Sequence, residues 1–330
     1  MAGYARAAIN LLRGRANTAV FAVTTRCNCR CFMCGMHSKP PEEVGVEGFK
    51  RALRFMADHG FLMVYLTGGE PTLHPWIYEA IRYARRLDLL TVLSTNGTRG
   101  PEVVERLHEA GLDVLTVSMD HWDHEVCDKI RGVRGVLAEQ VRSIVRARDL
   151  GMNMYALVYL NPYLVVDGVE RLVEYVNGEL KVPIGFCYPT DVEVNTYSLH
   201  GGFNEAELRE RLKLSVRKLL ELKRRGYAVV NTATYLQDIL RRPGAKPNYY
   251  CKGGENVFYV DWRGDVYPCF AKPKLFNLLR DEPRALRGVR CDECFTNCFR
   301  EPSMLPQLLK SPKLLLKELA VARSMKGLLF

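Results

Sequence analysis

Six short apolar runs punctuate the first 190 residues, and all but the last are followed by a segment whose apolar residues recur at three and four. The runs are Ala19–Val23, Leu62–Leu66, Leu90–Leu93, Val114–Val117, Tyr155–Tyr159 and Ile184–Cys187. The helical segments are Glu47–His59, Pro75–Leu87, Pro101–Ala110, Val136–Leu150 and Gly168–Leu180. Such alternation suits parallel strands joined by helical crossovers, so the chain is expected to be α/β, a partial (β/α)6 barrel of the TIM type. Composition agrees: 330 residues at 48% apolar and 25% charged bury a large core and exclude disorder, collagen and mini-protein scaffolds. No stretch reaches the ~18 apolar residues of a membrane span, and Arg6, Arg13, Arg15 and Asn17 interrupt the N-terminus. A cytoplasmic protein is therefore expected.

In a barrel of this kind, side chains at the C-terminal ends of the strands converge on one mouth. Four consecutive runs here end in polar or cysteine-bearing segments: Thr24–Gly35, Thr67–Pro71, Ser94–Gly97 and Ser118–Asp120. Four strands thus aim at one site. Eleven cysteines fall mostly into two groups, 27, 29, 31, 34 and 251, 269, 291, 294, 298. Clustering in a chain without a secretory signal points to metal rather than disulfides. Cys127 and Cys187 stand apart. Both read as buried cysteines, although Cys187, at the end of the sixth run, could reach the barrel mouth as a thiol participant.

Cys27, Cys31 and Cys34 form a Cx3Cx2C arrangement on the loop after the first strand. Thiolates select iron–sulfur clusters, zinc or Cu(I). Three ligands leave one iron of a [4Fe-4S] cluster open, whereas structural zinc wants a closed set of four, for which Cys29 would have to serve. Thr-Arg-Cys-Asn-Cys-Arg-Cys-Phe-Met-Cys, Gly-Gly-Glu-Pro, Ser-Thr-Asn-Gly and Val-Ser-Met-Asp, following four successive strands, together resemble the radical S-adenosylmethionine (radical SAM) superfamily over about residues 18 to 190. The resemblance implies that Cys27, Cys31 and Cys34 hold a [4Fe-4S] cluster whose free iron chelates S-adenosylmethionine. It also implies that Gly68 and Gly69 admit the methionine moiety, Glu70 and its Pro71 neighbourhood orient the ammonium, and Phe32 packs near the adenine. Ser94 and Asn96 would contact ribose or carboxylate, Ser118 and Asp120 ribose hydroxyls, and Arg131 of Arg131-Gly132 the bound cofactor. Reduction by an external low-potential donor of the flavodoxin or ferredoxin type would then release a 5′-deoxyadenosyl radical that abstracts a substrate hydrogen.

The second group, Cys251, Gly264, Cys269 and then Cys291-x2-Cys294-x3-Cys298, resembles the Twitch or SPASM extension of such enzymes, with a short hairpin around Arg263-Gly264. The resemblance implies one auxiliary [4Fe-4S] cluster held by Cys251, Cys269, Cys291 and Cys294, with Cys298 a spare or alternative ligand; a zinc ribbon is the rival for the same residues. The organisation expected is a segment 1–17, a barrel 18–200, a helical connection 201–245, an auxiliary domain 246–302 and a C-terminal helix 303–330.

The net charge of +10 suits an anionic partner. Both termini interleave basic and apolar residues, and Glu318 is the one acid of the tail from Ser303 to Phe330. A basic amphipathic helix either lies on an anionic membrane surface or packs outside the barrel. The first alternative predicts a peripheral enzyme acting on an isoprenoid or other membrane lipid. Modification of a peptide, protein or small molecule is the alternative, against which stands the lack of a leader-binding segment before the first strand. A non-catalytic nucleic-acid-binding scaffold is disfavoured, because the basic residues lack the aromatic interleaving of single-strand binders.

Overall fold

The computed structural model describes residues 17–165, 167–189, 205–241, 249–281 and 288–304, together with residues 9, 247, 311, 312, 316 and 318. Six parallel strands form its centre: β1 (Asn17–Thr24), β2 (Phe61–Gly68), β3 (Leu90–Thr95), β4 (Val114–Ser118), β5 (Met154–Tyr159) and β6 (Ile184–Cys187). Helices α1 (Val46–Asp58), α2 (Ile77–Arg86), α3 (Pro101–Glu109), α4 (His124–Arg131), α5 (Val136–Asp149) and α6 (Asp167–Glu174) make the crossovers, α6 running on into a π-turn over Tyr175–Glu179. The expected α/β partial barrel is present. Helix α4 was not expected, yet its caps are legible. Asp123 accepts hydrogen bonds from the Glu125 and Val126 amides, and Gly132 ends the helix in the left-handed region at φ 67°.

After the barrel come α7 (Glu205–Arg224) and α8 (Ala233–Arg241), then β7 (Val257–Val260), β8 (Asp265–Tyr267), β9 (Phe276–Asn277) and the short α9 (Asn297–Arg300). The hairpin β7–β8 forms around Gly264 at φ 79°, and it does not stand alone. Strand β7 pairs in parallel with β1, giving one nine-stranded sheet in the order β6-β5-β4-β3-β2-β1-β7-β8-β9. The cysteine-bearing hairpin thus extends the barrel sheet beside the strand that delivers the first cysteine loop.

The register settles which residues share a face. Ala19, Phe21 and Val23 of β1 pack into the large core under the helices, while Val20 and Ala22 pack with Val257, Tyr259, Cys251 and Phe299 on the other side. Val20 pairs with Tyr65 and Ala22 with Thr67; from there the pairs run Tyr65 to Val92, Ser94 to Thr116, Ser118 to Leu157 and Tyr159 to Cys187. Alternation along each strand therefore turns Tyr65, Thr67, Ser94, Ser118, Tyr155, Tyr159 and Cys187 toward the barrel interior.

Beside β6 the sheet would end in unpaired backbone groups, a free edge that proteins cover or pair. Here residues 228–231 cover it. The Ala228 carbonyl accepts from Ile184 N at 2.9 Å and Val230 N donates to the Ile184 carbonyl at 2.8 Å. The Asn231 side chain then continues the ladder, accepting from Phe186 N at 2.7 Å and donating to its carbonyl at 2.9 Å.

Of the two readings of the tail, the one contact described for it favours packing against the protein. Glu318 accepts hydrogen bonds from the amides of Ala233 (3.0 Å) and Thr234 (2.9 Å) and from the Thr234 hydroxyl (2.6 Å). A carboxylate at a helix N-terminus satisfies donors that the helix cannot, so the tail is fastened to α8 at this point. Most of the tail, all but residue 9 of the N-terminal segment before residue 17, and the Arg242-Pro243-Gly244 break lie outside the described residues. Among the described residues no helix is long and apolar enough to cross a membrane.

Candidate active site

The first cysteine loop is held from two sides by three backbone bonds. Gly69 N donates to the Thr24 carbonyl at 2.8 Å, Glu70 N to the Arg26 carbonyl at 2.7 Å, and Arg30 N to the Arg131 carbonyl at 2.9 Å. The three glycines at these contacts have no room for a side chain. A Cβ on Gly68 would lie 2.4 Å from the Thr24 carbonyl oxygen, one on Gly69 2.2 Å from that of Arg26, and one on Gly132 2.5 Å from that of Arg30. Gly68-Gly69 and Arg131-Gly132 thus clamp the loop from β2 and α4. The observed reason for Gly68-Gly69 is contact with the loop.

Glu70 has a similar part. It is fully buried and accepts from Thr72 N (3.1 Å), Thr72 Oγ1 (2.6 Å), Thr95 Oγ1 (2.8 Å) and Asn96 N (2.7 Å). Burial raises its pKa while these donors oppose the shift. Its carboxylate ties the end of β2 to the end of β3 through the turn that Pro71 opens. Asn96 in turn donates to the Asn28 side chain at 2.8 Å, and Asn28 donates to Thr98 at 2.7 Å, bonding the third strand end to the cysteine loop. Gln140 of α5 completes this support by donating to the Asn96 carbonyl at 3.2 Å. Neither Asn28 nor Gln140 was singled out by the sequence, because a lone amide on a loop or helix carries no spacing signal.

Within the loop the thiols are unequal. Cys29 is buried in the main core, and its pKa is raised strongly by hydrogen bonds to Cys27 and Cys31 together with burial. It supports its neighbours as a donor. Cys31 is lowered to about 6, first by the Cys29 hydrogen bond and further by the Arg131 guanidinium, against burial. Cys27 is lowered in the same way by Cys29, and burial pushes Cys34 up to about 12. Arg131 reaches Cys31 Sγ at 3.7 Å and forms a buried ion pair with Asp120 at 2.6 Å. Asp120 also accepts from Tyr159 N at 2.8 Å, and burial raises its pKa against the pull of Arg131.

Ser94 interacts with the Tyr65 hydroxyl, which lies 3.2 Å from Thr116 Oγ1. Ser118 is half-buried at the end of β4. Phe32 meets Tyr163 edge-on, with centroids 6.3 Å apart. Among the described residues no three Cys, His, Asp or Glu side chains close around a single point. The donor set is three thiols on one loop, each able to bind a different iron of a cubane cluster. Beside them the buried Nε of Arg131 has no hydrogen-bond partner, a donor that suits an anionic or polar ligand. The residues fit an open cluster with a polar ligand on it.

The second cysteine group gathers against β7. Cys251 N donates to the Cys291 carbonyl at 2.8 Å, and the two thiols are hydrogen-bonded, which lowers Cys291 to about 6 and raises Cys251. Cys269 senses Cys294 and Cys291 electrostatically, and half-buried Cys298 senses Cys187, Cys294 and Cys269. Cys298 therefore lies between the auxiliary group and the Cys187 side of the interior. Four of these five thiols suffice for one cluster. Glu42, just beyond the first cysteine loop, fastens that loop to the hairpin by accepting from Trp262 Nε1 (2.7 Å) and Arg263 Nε (2.6 Å) and Nη2 (2.7 Å).

One carboxyl of this region escaped the sequence. Glu301 accepts from Thr232 N at 2.7 Å and Asn231 Nδ2 at 3.1 Å, and burial pushes it up to about 7. A raised carboxyl pKa stabilises the fold fully below its unfolded value of 4.5, and that contribution is lost as pH rises through 7. The unfolding free energy of anaerobic protein, read from urea titrations, is expected to fall across this window by an amount on the order of 3 kcal/mol, and Glu301→Gln is expected to flatten the profile. An unchanged slope in the variant would assign the pH dependence elsewhere.

Residues 21–176 match the sequence pattern of the Radical SAM superfamily. The PqqA peptide cyclase of Xanthomonas euvesicatoria pv. vesicatoria (strain 85-10) is 28% identical over 314 residues, covering 88% of this chain and 78% of the relative. The AdoMet-dependent heme synthase of Methanosarcina barkeri (strain Fusaro / DSM 804) is 26% identical over 283 residues, covering 79% of this chain and 78% of the relative. Among solved structures, Streptococcus suis SuiB bound to S-adenosylmethionine superposes with a TM-score of 0.63 at 18% identity, covering 83% of this chain and 67% of that one. Native anSMEcpe with bound AdoMet gives 0.61 at 15% identity, covering 94% of this chain and 84% of that one.

Proposed function

Because this chain belongs to the radical SAM superfamily and carries a Twitch/SPASM-like cysteine domain, we propose that it is a peptide-modifying radical enzyme that removes hydrogen from its substrate. The observation that carries this reading is the parallel pairing of β1 with β7, which turns Val20, Ala22, Val257, Tyr259 and the auxiliary cysteines to one face of one sheet. A substrate in the barrel interior then lies between the two cysteine groups. When bound, the first [4Fe-4S] cluster with S-adenosylmethionine supplies a 5′-deoxyadenosyl radical, and an auxiliary [4Fe-4S] cluster supplies an electron sink.

Everything else falls to the chain. Cys27, Cys31 and Cys34 hold the first cluster, and Cys251, Cys269, Cys291 and Cys294 the second, with Cys298 the alternative ligand nearest the interior. The Cys29 hydrogen bond first, and Arg131 fixed by Asp120 after it, favour the thiolate form of Cys31. Phe32, Ser94, Asn96, Ser118 and the strand-end glycines shape the S-adenosylmethionine side of the interior. An external low-potential electron donor is required, as it is throughout the superfamily.

The choice of a peptide replaces the lipid substrate expected from the termini. The interior presents Thr67, Ser118 and Tyr159 beside the hydrogen-bonded Tyr65, Thr116 and Ser94 hydroxyls, a polar lining that suits amide groups better than a hydrocarbon chain. The 28% identical relative is named a peptide cyclase, and the tail that suggested a membrane is fastened to α8.

The test is anaerobic turnover of the reconstituted enzyme with a reductant, S-adenosylmethionine and a pool of synthetic peptides carrying all twenty side chains. The expected result is 5′-deoxyadenosine formation with a matching peptide product lighter by about two mass units per turnover, for two hydrogens lost. Turnover of an iron porphyrin with no peptide altered would replace the reading by one nearer the heme synthase relative.

A further inference from the structure

The auxiliary cysteines have a buried cation beside them that the peptide reading does not use. Arg300 ends α9, two residues after Cys298, and is fully buried. Its Nη2 is ion-paired with Asp238 of α8, equally buried. Its guanidinium lies over the Tyr249 ring, 4.3 Å from the centroid. The other two nitrogens, Nε and Nη1, have no hydrogen-bond partner, and neither has the Tyr249 hydroxyl. Buried donors are rarely left in this state, so unpaired ones mark a place where an acceptor belongs.

The nearby chemistry names the acceptor. The residues on either side of Arg300 touch the cysteines: Phe299 and Cys298 pack with Cys251, and the Ser303 hydroxyl accepts from Lys252 N at 2.8 Å and lies 3.8 Å from Cys251 Sγ. An iron–sulfur cluster on Cys251 brings thiolate and sulfide sulfurs, which are anionic acceptors, to a guanidinium with two donors unspent.

We propose that Arg300 is a positioning residue that supplies the counter-charge to the auxiliary cluster and raises its reduction potential. The proposal rests on the auxiliary-cluster part of the reading above. The physical reason is direct: net charge and hydrogen bonds to sulfur set cluster potentials, and a cation favours the more negative, reduced state. Asp238 works in the opposite sense. Between them the two charges would set the potential at which an auxiliary cluster could take an electron from a substrate radical.

The test is a redox titration of the reconstituted holoenzyme followed by electron paramagnetic resonance, with the first cluster as internal reference. Arg300→Gln is expected to lower the auxiliary midpoint by about 59 mV or more, a tenfold change in a one-electron equilibrium, while the first cluster stays put. Asp238→Asn is expected to raise it, and Arg300→Lys to retain most of the wild-type value. General loosening of the site would shift the Gln and Asn variants in the same direction, and that result overturns the proposal, as does an unmoved midpoint in Arg300→Gln. If Arg300→Gln fails to load its cluster, Asp238→Asn decides alone: a rise supports the proposal, and no change or a fall overturns it. Absence of auxiliary iron in the wild type removes the auxiliary cluster and the proposal together, and it shows in the iron count rather than in the potentials.

Discussion

Replacing Cys27, Cys31 and Cys34 together by alanine is expected to abolish reductive cleavage of S-adenosylmethionine and to lower iron from about eight to about four per chain, since each cubane contributes four irons. The loop itself should survive. Its position comes from the backbone bonds of Gly69, Glu70 and Arg30 and from the Asn28–Asn96 pair, none of which involves a thiol. Anaerobic reconstitution with iron and sulfide assays, beside the ultraviolet-visible spectrum, reads both effects. Persisting cleavage of S-adenosylmethionine in the triple variant would refute the assignment. Four irons falling to none, with zinc present, would keep the radical site and make the C-terminal group a structural clip.

Gly69→Ala is expected to do nearly as much without touching a ligand. The new methyl would sit 2.2 Å from the Arg26 carbonyl oxygen and 2.7 Å from that of Thr25, and both are backbone atoms that cannot swing aside. Either β2 or the cysteine loop must shift. Overpacking of this kind costs about 1–3 kcal/mol of stability, and a displacement near 1 Å costs about a hundredfold in rate. The expected signature is reduced occupancy of the first cluster with the auxiliary cluster retained, and a fall of about two orders of magnitude in 5′-deoxyadenosine formation. Gly178→Ala is the matched control, because a Cβ there meets nothing within 4 Å. Wild-type iron and rate in Gly69→Ala would show that the loop is softer than its contacts imply.

The site was legible to different depths. The cysteine loop could be read because three soft ligands at fixed spacing have few structural uses, and its place after the first strand follows from barrel geometry. The Gly-Gly-Glu run could be located, with the cofactor roles that the resemblance implies, but its part in the scaffold could not be read. Its glycines meet the carbonyls of Thr24 and Arg26, and its glutamate spends both oxygens on Thr72, Thr95 and Asn96. Those contacts join residues far apart in the chain. Glu301 and Arg300 had no motif at all; what distinguishes them is burial beside partners some 60 to 70 positions away. The basic tail left two readings open for the same reason, since its one acid gains meaning only when it meets the first turn of α8.

Local sequence determined the alternation of strand and helix, the strand ends that carry chemistry and the chemistry of the thiols, because periodicity and ligand spacing act over a few residues. Tertiary structure alone decided that β7 joins β1 in one sheet, that Cys34 packs with the auxiliary cysteines on one side of it, and which polar side chains are spent on the scaffold rather than left for a substrate. Strand pairing across some 240 residues is set by which edge remains unsatisfied once the barrel strands have paired, and no short window of sequence contains that edge.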